Sequence, residues 1–442
     1  MYSHSIEKIL KKKKIEPGDQ IRVFKEKNVY AGTLMPKTET SDANSIIIKL
    51  STGYNIGIGM KFKIEKTGGK AVQGKLLSQE IEFDPKKPTI SILHTGGTIA
   101  ARVDYRTGGV VSAFSPEDLL TMFPELKEIA NTRTRLVKQI FSEEMHPAHY
   151  QIIAKEIARE IKSGVDGIII GHGTDTLHYT SAMLSFMLQD VPIPVILVGA
   201  QRSSDRGSSD AAMNLICAAK FIAKTDFSGV GVCMHATPSD EACWILHGCK
   251  VRKMHTSKRD AFQPVGAMPV AKVGYLNDEI EFYQGYKRRD KKRPLVLKDN
   301  IEPKVALIKS HPGISPKLIE ILTQEKYRGL LLEGTGLGHT PANEIDEFTA
   351  SNKRFFDNIR RFIHAGGVAA MASQTIYGRV NMNVYSTGRD LLSIGVVPCE
   401  DMTSETAFVK LMWACGQSTD AKKVKELMAT NIAGEISERR EE

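Results

Sequence analysis

The sequence predicts an α/β fold of mostly parallel sheets, preceded by a small N-terminal β-barrel. Three observations carry this. Residues 1–85 hold several short strand candidates in little length. From about Pro88 onward, apolar strand-like runs alternate with helical patterns, as expected for parallel strands covered by helices on both faces. Two of those runs, Ile90 to Leu93 and Ile168 to Ile170, lead into glycine-containing turns that carry threonines.

The elements follow in chain order. A short helix is expected from Ser3 to Lys14, with Ile6, Ile9 and Leu10 on one side. Pro17-Gly18-Asp19 marks a turn. Strand candidates follow at Ile21 to Phe24, Tyr30 to Leu34 and Ser45 to Leu50. From Tyr54 the alternation is regular: Tyr54, Ile56, Ile58, Met60, Phe62 and Ile64 fall on one face and Asn55, Gly57, Gly59, Lys61 and Lys63 on the other. That is the period of a half-buried strand. Several short strands in so few residues predict the barrel. Thr67 to Lys87, rich in Gly, Lys and Pro, reads as a linker.

In the body, Gln151 to Lys162 places Ile152, Ile153, Ile157 and Ile161 at helical spacing and leads through Ser163-Gly164 into the strand ending at Ile170. Thr180 to Leu188 reads as a helix and Pro194 to Val198 as a strand. A basic, proline-containing stretch from Tyr286 to Pro303 reads as a separator. Beyond it, Val305 to Lys309, Gly329 to Glu333 and Gly367 to Ala372 look like strands. Pro316 to Gln324, Asn343 to His364 and Glu405 to Gly416 look like helices. The expected division is 1–85 for the barrel with its helix and linker, 86–295 for a large α/β domain, and 296–442 for a smaller one.

A chain of 442 residues can bury large cores, and 41% hydrophobic with 25% charged residues is ordinary for a soluble globular protein. No apolar stretch approaches the roughly 20 residues that span a bilayer, and the polar N-terminus has no signal-peptide apolar region. The six cysteines form no C-x-x-C pair and read as reduced, partly buried thiols. Cytoplasm is therefore the expected location, and no membrane role is expected. The net charge of +9 is compatible with a polyanionic partner or with a solvated basic surface. The basic cluster Lys11 to Lys14 carries the same two readings, while Lys287 to Arg293, between two structured stretches, reads first as a linker, with a nucleic-acid role as its alternative.

The chemistry centres on His94-Thr95-Gly96-Gly97-Thr98-Ile99-Ala100 and Gly171-His172-Gly173-Thr174-Asp175-Thr176. Loops at the carboxyl ends of strands in an open parallel sheet face the ligand crevice. Two threonines brought to one crevice suggest nucleophilic chemistry without a serine–histidine pair, against the plainer reading of two packing or phosphate-binding turns. A threonine hydroxyl needs a nearby base and fixed donors for the developing charge. The glycines beside Thr98 and Thr174 allow close backbone approach, and the helix after Asp175 adds its positive end. Lys253 is either a base, if burial and neighbouring cations hold it neutral, or a surface lysine of the basic segment Lys250 to Arg259. His146 and His149 form H-x-x-H without a third ligand cluster, so no metal site is expected. Gly334-Thr335-Gly336-Leu337-Gly338 lacks a dinucleotide spacing and a Walker lysine and reads as a turn. Nothing argues for NAD or for ATP hydrolysis.

With these motifs in view, the chain from about Pro88 to its end resembles the L-asparaginase/glutaminase family of threonine amidohydrolases. The resemblance implies a large and a smaller α/β domain and active sites at a homodimer contact. Carried over, Thr98 corresponds to the nucleophile, and Tyr105, in Asp104-Tyr105-Arg106-Thr107-Gly108-Gly109, to the lid tyrosine that polarises it. Thr174, Asp175 and Lys253 match the family triad, the lysine because Lys253 to Phe262 has the family segment's length and ending. Ser142 would hold the α-carboxylate of the substrate and Asp175 its α-amino group. Glu143 and Glu144 depart from the commonest asparaginase pairing, which has an amide at the first position. Glu143, Gly97 and Gly173 complete the implied substrate site, and the resemblance also offers Glu405 as a substrate contact supplied near a dimer interface.

A narrower resemblance covers the whole chain. An asparaginase-like body behind a small β-barrel, with Gly199-Ala200-Gln201-Arg202-Ser203-Ser204-Asp205-Arg206 and Ser208 to Leu215, is similar to the D-subunit family of archaeal glutamyl-tRNA(Gln) amidotransferases. That implies a glutaminase that supplies ammonia to a partner, the amidotransferase E-subunit, which acts on Glu-tRNA(Gln). It implies contact with tRNA(Gln) through the complex. ATP and Mg would belong to the partner, and no cofactor to this chain. The alternatives are a free-standing L-asparaginase/glutaminase with an N-terminal extension and an inactive binding protein that has kept the fold.

Overall fold

The computed structural model describes residues 2–26, 28–35, 43–50, 55–70, 83–96, 101–103, 110–112, 123, 125–202 and 209–438. The chain folds into an N-terminal antiparallel sheet, a large α/β unit on an eight-stranded mixed sheet, and a second α/β unit on a four-stranded parallel sheet.

In the N-terminal part, helix His4–Lys12 buries Ile6 and Leu10. They pack with Ile15, Ile21, Val23, Leu34, Ile46, Ile48, Ile58 and Ile64 into a core of their own. The strands run edge to edge as Asn55–Gly59, Ser45–Leu50, Asn28–Leu34, Asp19–Lys25 and Lys63–Lys70, and every pairing is antiparallel. This corrects the expected β-barrel. Among the described residues the two edge strands are not paired with each other, and a barrel closes only when its edges pair. It also corrects the single alternating strand from Tyr54 to Ile64. Lys61 takes a left-handed backbone with φ 71°. The chain turns there and crosses to the far edge, where Ile64 pairs with Val23. A connection this short spans roughly 14 Å at most, so the sheet curls strongly without closing.

The large sheet has the order Ile280–Phe282, Ala271–Gly274, Ala242–His247, Gly229–His235, Pro194–Val198, Gly167–Gly171, Thr89–Gly96 and Asn131–Ile140. The last five strands are parallel and the first three join by antiparallel pairings. The sheet is therefore mixed rather than mostly parallel. The turn 236–241 is too short for a crossover, which needs a dozen or more residues, so it can only make a hairpin. The central strands are buried on both faces. Ile168, Ile170, Val195 and Leu197 pack with helices Pro147–Lys162 and Leu177–Met187, and Ile169, Ile196 and Val198 pack with helix Ala211–Lys224.

The second unit carries parallel strands Val305–Lys309, Gly329–Gly334, Val368–Ser373 and Val397–Pro398. One face holds helices Lys317–Gln324 and Ala350–His364, through residues such as Ile319, Phe355 and Phe362. The other face, with Leu331 and Ala370, lies against helix Ser404–Gln417 and shares its core with the large unit. Trp413 stacks on Phe186 at 5.9 Å between ring centroids and donates to the Lys298 carbonyl at 2.9 Å.

The basic run that follows Tyr286 is stapled to the body. Lys287 pairs with Asp190 at 2.7 Å, Arg288 with Asp226 at 3.5 Å and Lys291 with Asp166 at 2.5 Å. Arg289 donates to the carbonyls of Ile222 and Thr225. These contacts tie the run to the body, while the side chains of Lys287, Arg288 and Lys291 stay largely exposed. All six cysteines are buried free thiols.

Lys410 and Glu435 are both 0% exposed and 2.5 Å apart, and Lys410 also donates to the carbonyls of Met428 and Thr430. Lys410→Met leaves the Glu435 carboxylate buried without its counter-charge. We expect a loss of about 3–5 kcal/mol, the cost of breaking a buried pair by removing one partner. Urea unfolding of the two proteins measures it, and a loss below about 1 kcal/mol would mean the tail re-solvates Glu435.

Candidate active site

Strands Thr89–Gly96 and Gly167–Gly171 run side by side in parallel, with His94 opposite Gly171, so both threonine-bearing segments leave the same edge of the sheet. Thr95 Oγ1 donates to the Gly171 carbonyl at 3.0 Å and ties the two strand ends together. Gly96 has φ 96°, and a Cβ there would lie 2.5 Å from the Ile140 carbonyl oxygen, so the turn requires glycine. Gly97, Thr98 and Tyr105 lie outside the described residues, as do 203–206 of the Gly199 to Arg206 segment.

The second segment is described in full. Thr174 is buried, and Asp175 stands with 65% of its side chain exposed. Lys253 ends strand Val251–Lys253, which is held in a hairpin by Lys253 pairing with Phe262. Its Nζ lies 2.8 Å from Thr174 Oγ1 and 2.7 Å from Asp175 Oδ1. The structure thus brings together a hydroxyl, a carboxylate and an amine from two distant segments. Lys253, with 10% of its side chain exposed, is not the surface lysine that spacing alone allows.

The 3-10 turn Ser142–Glu144 closes over this loop. Thr176 Oγ1 donates to the Ser142 carbonyl at 2.7 Å. A Cβ on Gly173 would lie 2.7 Å from Ser142 Cβ and Oγ, so glycine admits the buried serine. On the other side, a Cβ on Gly199 would lie 2.7 Å from Thr174 Cγ2. Glu143 and Glu144 point to solvent on the same turn as Ser142. Helix Leu177–Met187 starts at this loop, three residues before the expected Thr180, and directs its positive end at it.

Buried imidazoles surround the loop. His172 Nδ1 is 2.7 Å from the Gly173 carbonyl and Nε2 is 2.9 Å from Thr180 Oγ1. Burial lowers His172 and His94 to about 4. Burial, then the nearby Arg252 and Lys253 charges, lowers His178 to about 3. These rings are neutral at pH 7 and add no positive charge beside Lys253.

Other motifs resolve plainly. His146 and His149 cap helix Pro147–Lys162: His146 Nδ1 accepts from the Ala148 amide, and the His146 amide donates to His149 Nδ1 at 3.0 Å. Among the described residues no group of His, Cys, Asp and Glu is arranged to hold a metal ion. Gly334 to Gly338 is a turn bridged from Thr335 to His339. A cavity of about 460 Å³, lined by Val191, Gly229, His247 and Tyr286 among others, opens near the amino ends of the strands and contains none of the candidate residues.

Sequence reasoning missed the supports. Asn214 donates to the Gly199 carbonyl at 3.0 Å, and Asp210 accepts from the amides of Gln201 and Arg202. Arg252 pairs with Glu405 at 2.9 Å. Glu405 is 6% exposed inside its own chain, where the sequence reading expected a substrate contact near a dimer interface. Asn214 and Asp210 stand on the segment the resemblance quoted, but no local pattern links Arg252 to Glu405.

Comparison with known proteins places this geometry. The chain is 48% identical over 440 residues to the glutamyl-tRNA(Gln) amidotransferase D-subunit of Pyrococcus furiosus, covering 98% of this chain and 97% of the relative. It is 45% identical to the same protein of Methanothermobacter thermautotrophicus, covering 99% and 98%. The chain belongs to the glutamyl-tRNA(Gln) amidotransferase D-subunit family. The likeness extends to the N-terminal sheet, where the GatD N-terminal domain model matches residues 15–67. The body matches the models Asparaginase, N-terminal, over 89–288 and Glutaminase/Asparaginase C-terminal domain over 304–428. Among solved structures, the thermostable L-asparaginase of Thermococcus kodakarensis superposes with a TM-score of 0.70 at 31% identity, over 79% of this chain and 100% of that one. L-asparaginase I of Vibrio cholerae does so at 0.68 and 27%, over 79% and 99%. The fold is asparaginase-like.

The neutral histidines give a pH dependence. His94 and His172 have folded values near 4 against 6.5 when unfolded. Between these values the unfolded chain binds more protons, so stability is full above pH 6.5 and falls as pH drops toward 4. Urea midpoints from pH 7.5 to 4.5 should decline through this window, with a smaller decline in His172→Asn. A flat profile would show that these rings are not held neutral.

Proposed function

We infer that the chain is the glutaminase component of a tRNA-dependent amidotransferase. It hydrolyses the side-chain amide of glutamine and supplies ammonia for conversion of Glu-tRNA(Gln) to Gln-tRNA(Gln). The observation that carries this is Lys253 set on Thr174 and Asp175 at 2.8 and 2.7 Å, in a chain whose identity to amidotransferase D-subunits runs end to end. Thr98 attacks the amide carbon, polarised by Tyr105. The new O–C bond forms, the C–N bond breaks, and the nitrogen leaves as ammonia after taking up a proton. Water then cleaves the acyl ester to release glutamate and restore the hydroxyl. Thr174, Asp175 and Lys253 relay protons during this sequence. Ser142 takes the α-carboxylate and Asp175 the α-amino group. Glu143 stands at the rim, Gly173 lets Ser142 approach the loop, and Gly97 belongs to the same substrate site.

The segments 1–85, 86–295 and 296–442 act as module, catalytic body and second domain. The chain works as a cytoplasmic homodimer with the amidotransferase E-subunit, which holds ATP and Mg and acts on charged tRNA(Gln). The likeness to L-asparaginases keeps one alternative open, a free amidohydrolase acting on asparagine or glutamine. Ammonia release from both amides, with and without the E-subunit and Glu-tRNA(Gln), separates the two.

Thr98→Val keeps the β-branched shape and removes the hydroxyl. Glutamine-dependent ammonia release should fall at least about a thousandfold, while added ammonium still supports amidation by the complex. Near wild-type hydrolysis would remove Thr98 from the mechanism. Lys253→Arg keeps a positive charge but cannot give up its proton. Its turnover should fall nearly as far as that of Lys253→Ala; normal turnover would leave Lys253 no proton-transfer role.

A further inference from the structure

The segment 249–253 is held from the second α/β unit at three points. Thr406 Oγ1 donates to the Cys249 carbonyl at 3.0 Å, Lys250 Nζ donates to Asp401 Oδ2 at 2.7 Å, and Arg252 Nη2 lies 2.9 Å from Glu405 Oε1. Successive strand residues point to opposite faces. Lys253 therefore turns to Thr174 and Asp175 while Arg252 turns to Glu405. Glu405 stands in the first turn of helix Ser404–Gln417, whose N-cap Thr403 accepts from the Thr406 amide. The adjacent Ser404 Oγ donates to Glu333 Oε1 at 2.9 Å, which fixes this turn to strand Gly329–Gly334.

Glu405 is an expensive residue at this place. It is 6% exposed, and its Oε2 is buried without a hydrogen-bond partner among the described residues. A buried carboxylate with a bare oxygen costs stability, and a neutral side chain of similar size would fill the space at lower cost. What the carboxylate adds is a charged, directional grip on Arg252, one residue before Lys253.

We propose that Glu405 is a positioning residue: through Arg252 it fixes the strand that carries Lys253, so that the second α/β unit sets the Lys253–Thr174 distance. The role presupposes the amidohydrolase reading above. The triad then depends on a residue that touches none of its members.

Glu405→Gln keeps size and burial and removes the charge. It is assayed with Arg252→Gln and the double variant in the full chain with the E-subunit and Glu-tRNA(Gln), following ammonia release from glutamine. The expected result is a kcat lowered about tenfold or more, a KM within about threefold of wild type, and a double variant no worse than the worse single one. A raised KM at unchanged kcat would make Glu405 a substrate contact, and additive losses would mean it does not act through Arg252; either overturns the proposal. A second readout needs no turnover. Acetic anhydride labelling, read residue by residue by mass spectrometry, should change at Lys253 about threefold or more in Glu405→Gln relative to other lysines. Unchanged labelling overturns the proposal. Wild-type protein without glutamine hydrolysis would sink the functional reading instead, leaving the labelling to decide the role of Glu405.

Discussion

A lysine on a three-residue strand has little of its own to hold it in place. The hairpin of Val251–Lys253 and Phe262–Pro264 is too short to be stable alone, and ordering a long lysine side chain costs up to about 2 kcal/mol. The contact of Lys253 with Thr174 therefore depends on what fixes the backbone beneath it. That support is the joint between the two α/β units, where helix Ser404–Gln417 packs on helix Leu177–Met187 through Trp413 and Phe186. One of these helices grips the strand of Lys253, and the other begins at the loop of Thr174. Moving either helix along the other would separate the amine from the hydroxyl.

Close approach is the second constraint. Gly96, Gly173 and Gly199 each stand where a Cβ would meet a neighbour closer than 3 Å: Ile140, Ser142 and Thr174 in turn. These glycines let the strand ends, the serine turn and the triad loop converge without displacing one another. The neutral buried imidazoles of His94, His172 and His178 line the same region without adding a charge that would compete with Asp175 for Lys253.

Local parts of this arrangement are visible in the sequence. Pro194–Val198 and Val305–Lys309 form over the residues their apolar runs define. The threonine of the Gly171 to Thr176 motif stands at the carboxyl end of its strand because strand and turn are contiguous in the chain. Alternation failed at Met60 to Phe62, because apolar residues in a turn keep the period that a strand would show. The turn 236–241 carries Thr237, Pro238, Ser239 and Asp240, a hairpin signal that marks the antiparallel half of the sheet. Counting charge in Lys287 to Arg293 could not reveal the aspartates that pair with it. Lys253 is visible as a candidate base, but it takes a resemblance to favour that over a surface lysine, since its partners lie on another segment. Arg252 and Glu405 leave no local trace at all.

The joint between the units holds three buried or part-buried ion pairs: Lys250 with Asp401, Lys410 with Glu435, and Arg252 with Glu405. Stability does not explain them, since apolar replacements of buried ion pairs are often as stable or more so. An apolar contact, however, tolerates sliding and rotation, because dispersion and burial depend weakly on direction. A charge-assisted hydrogen bond fixes both a distance and an angle. Two of these pairs grip the five-residue segment that ends at Lys253, and the third anchors the tail on the same helix that carries Glu405. At a joint where the position of one amine determines whether the triad exists, directional contacts accomplish what a larger apolar core cannot.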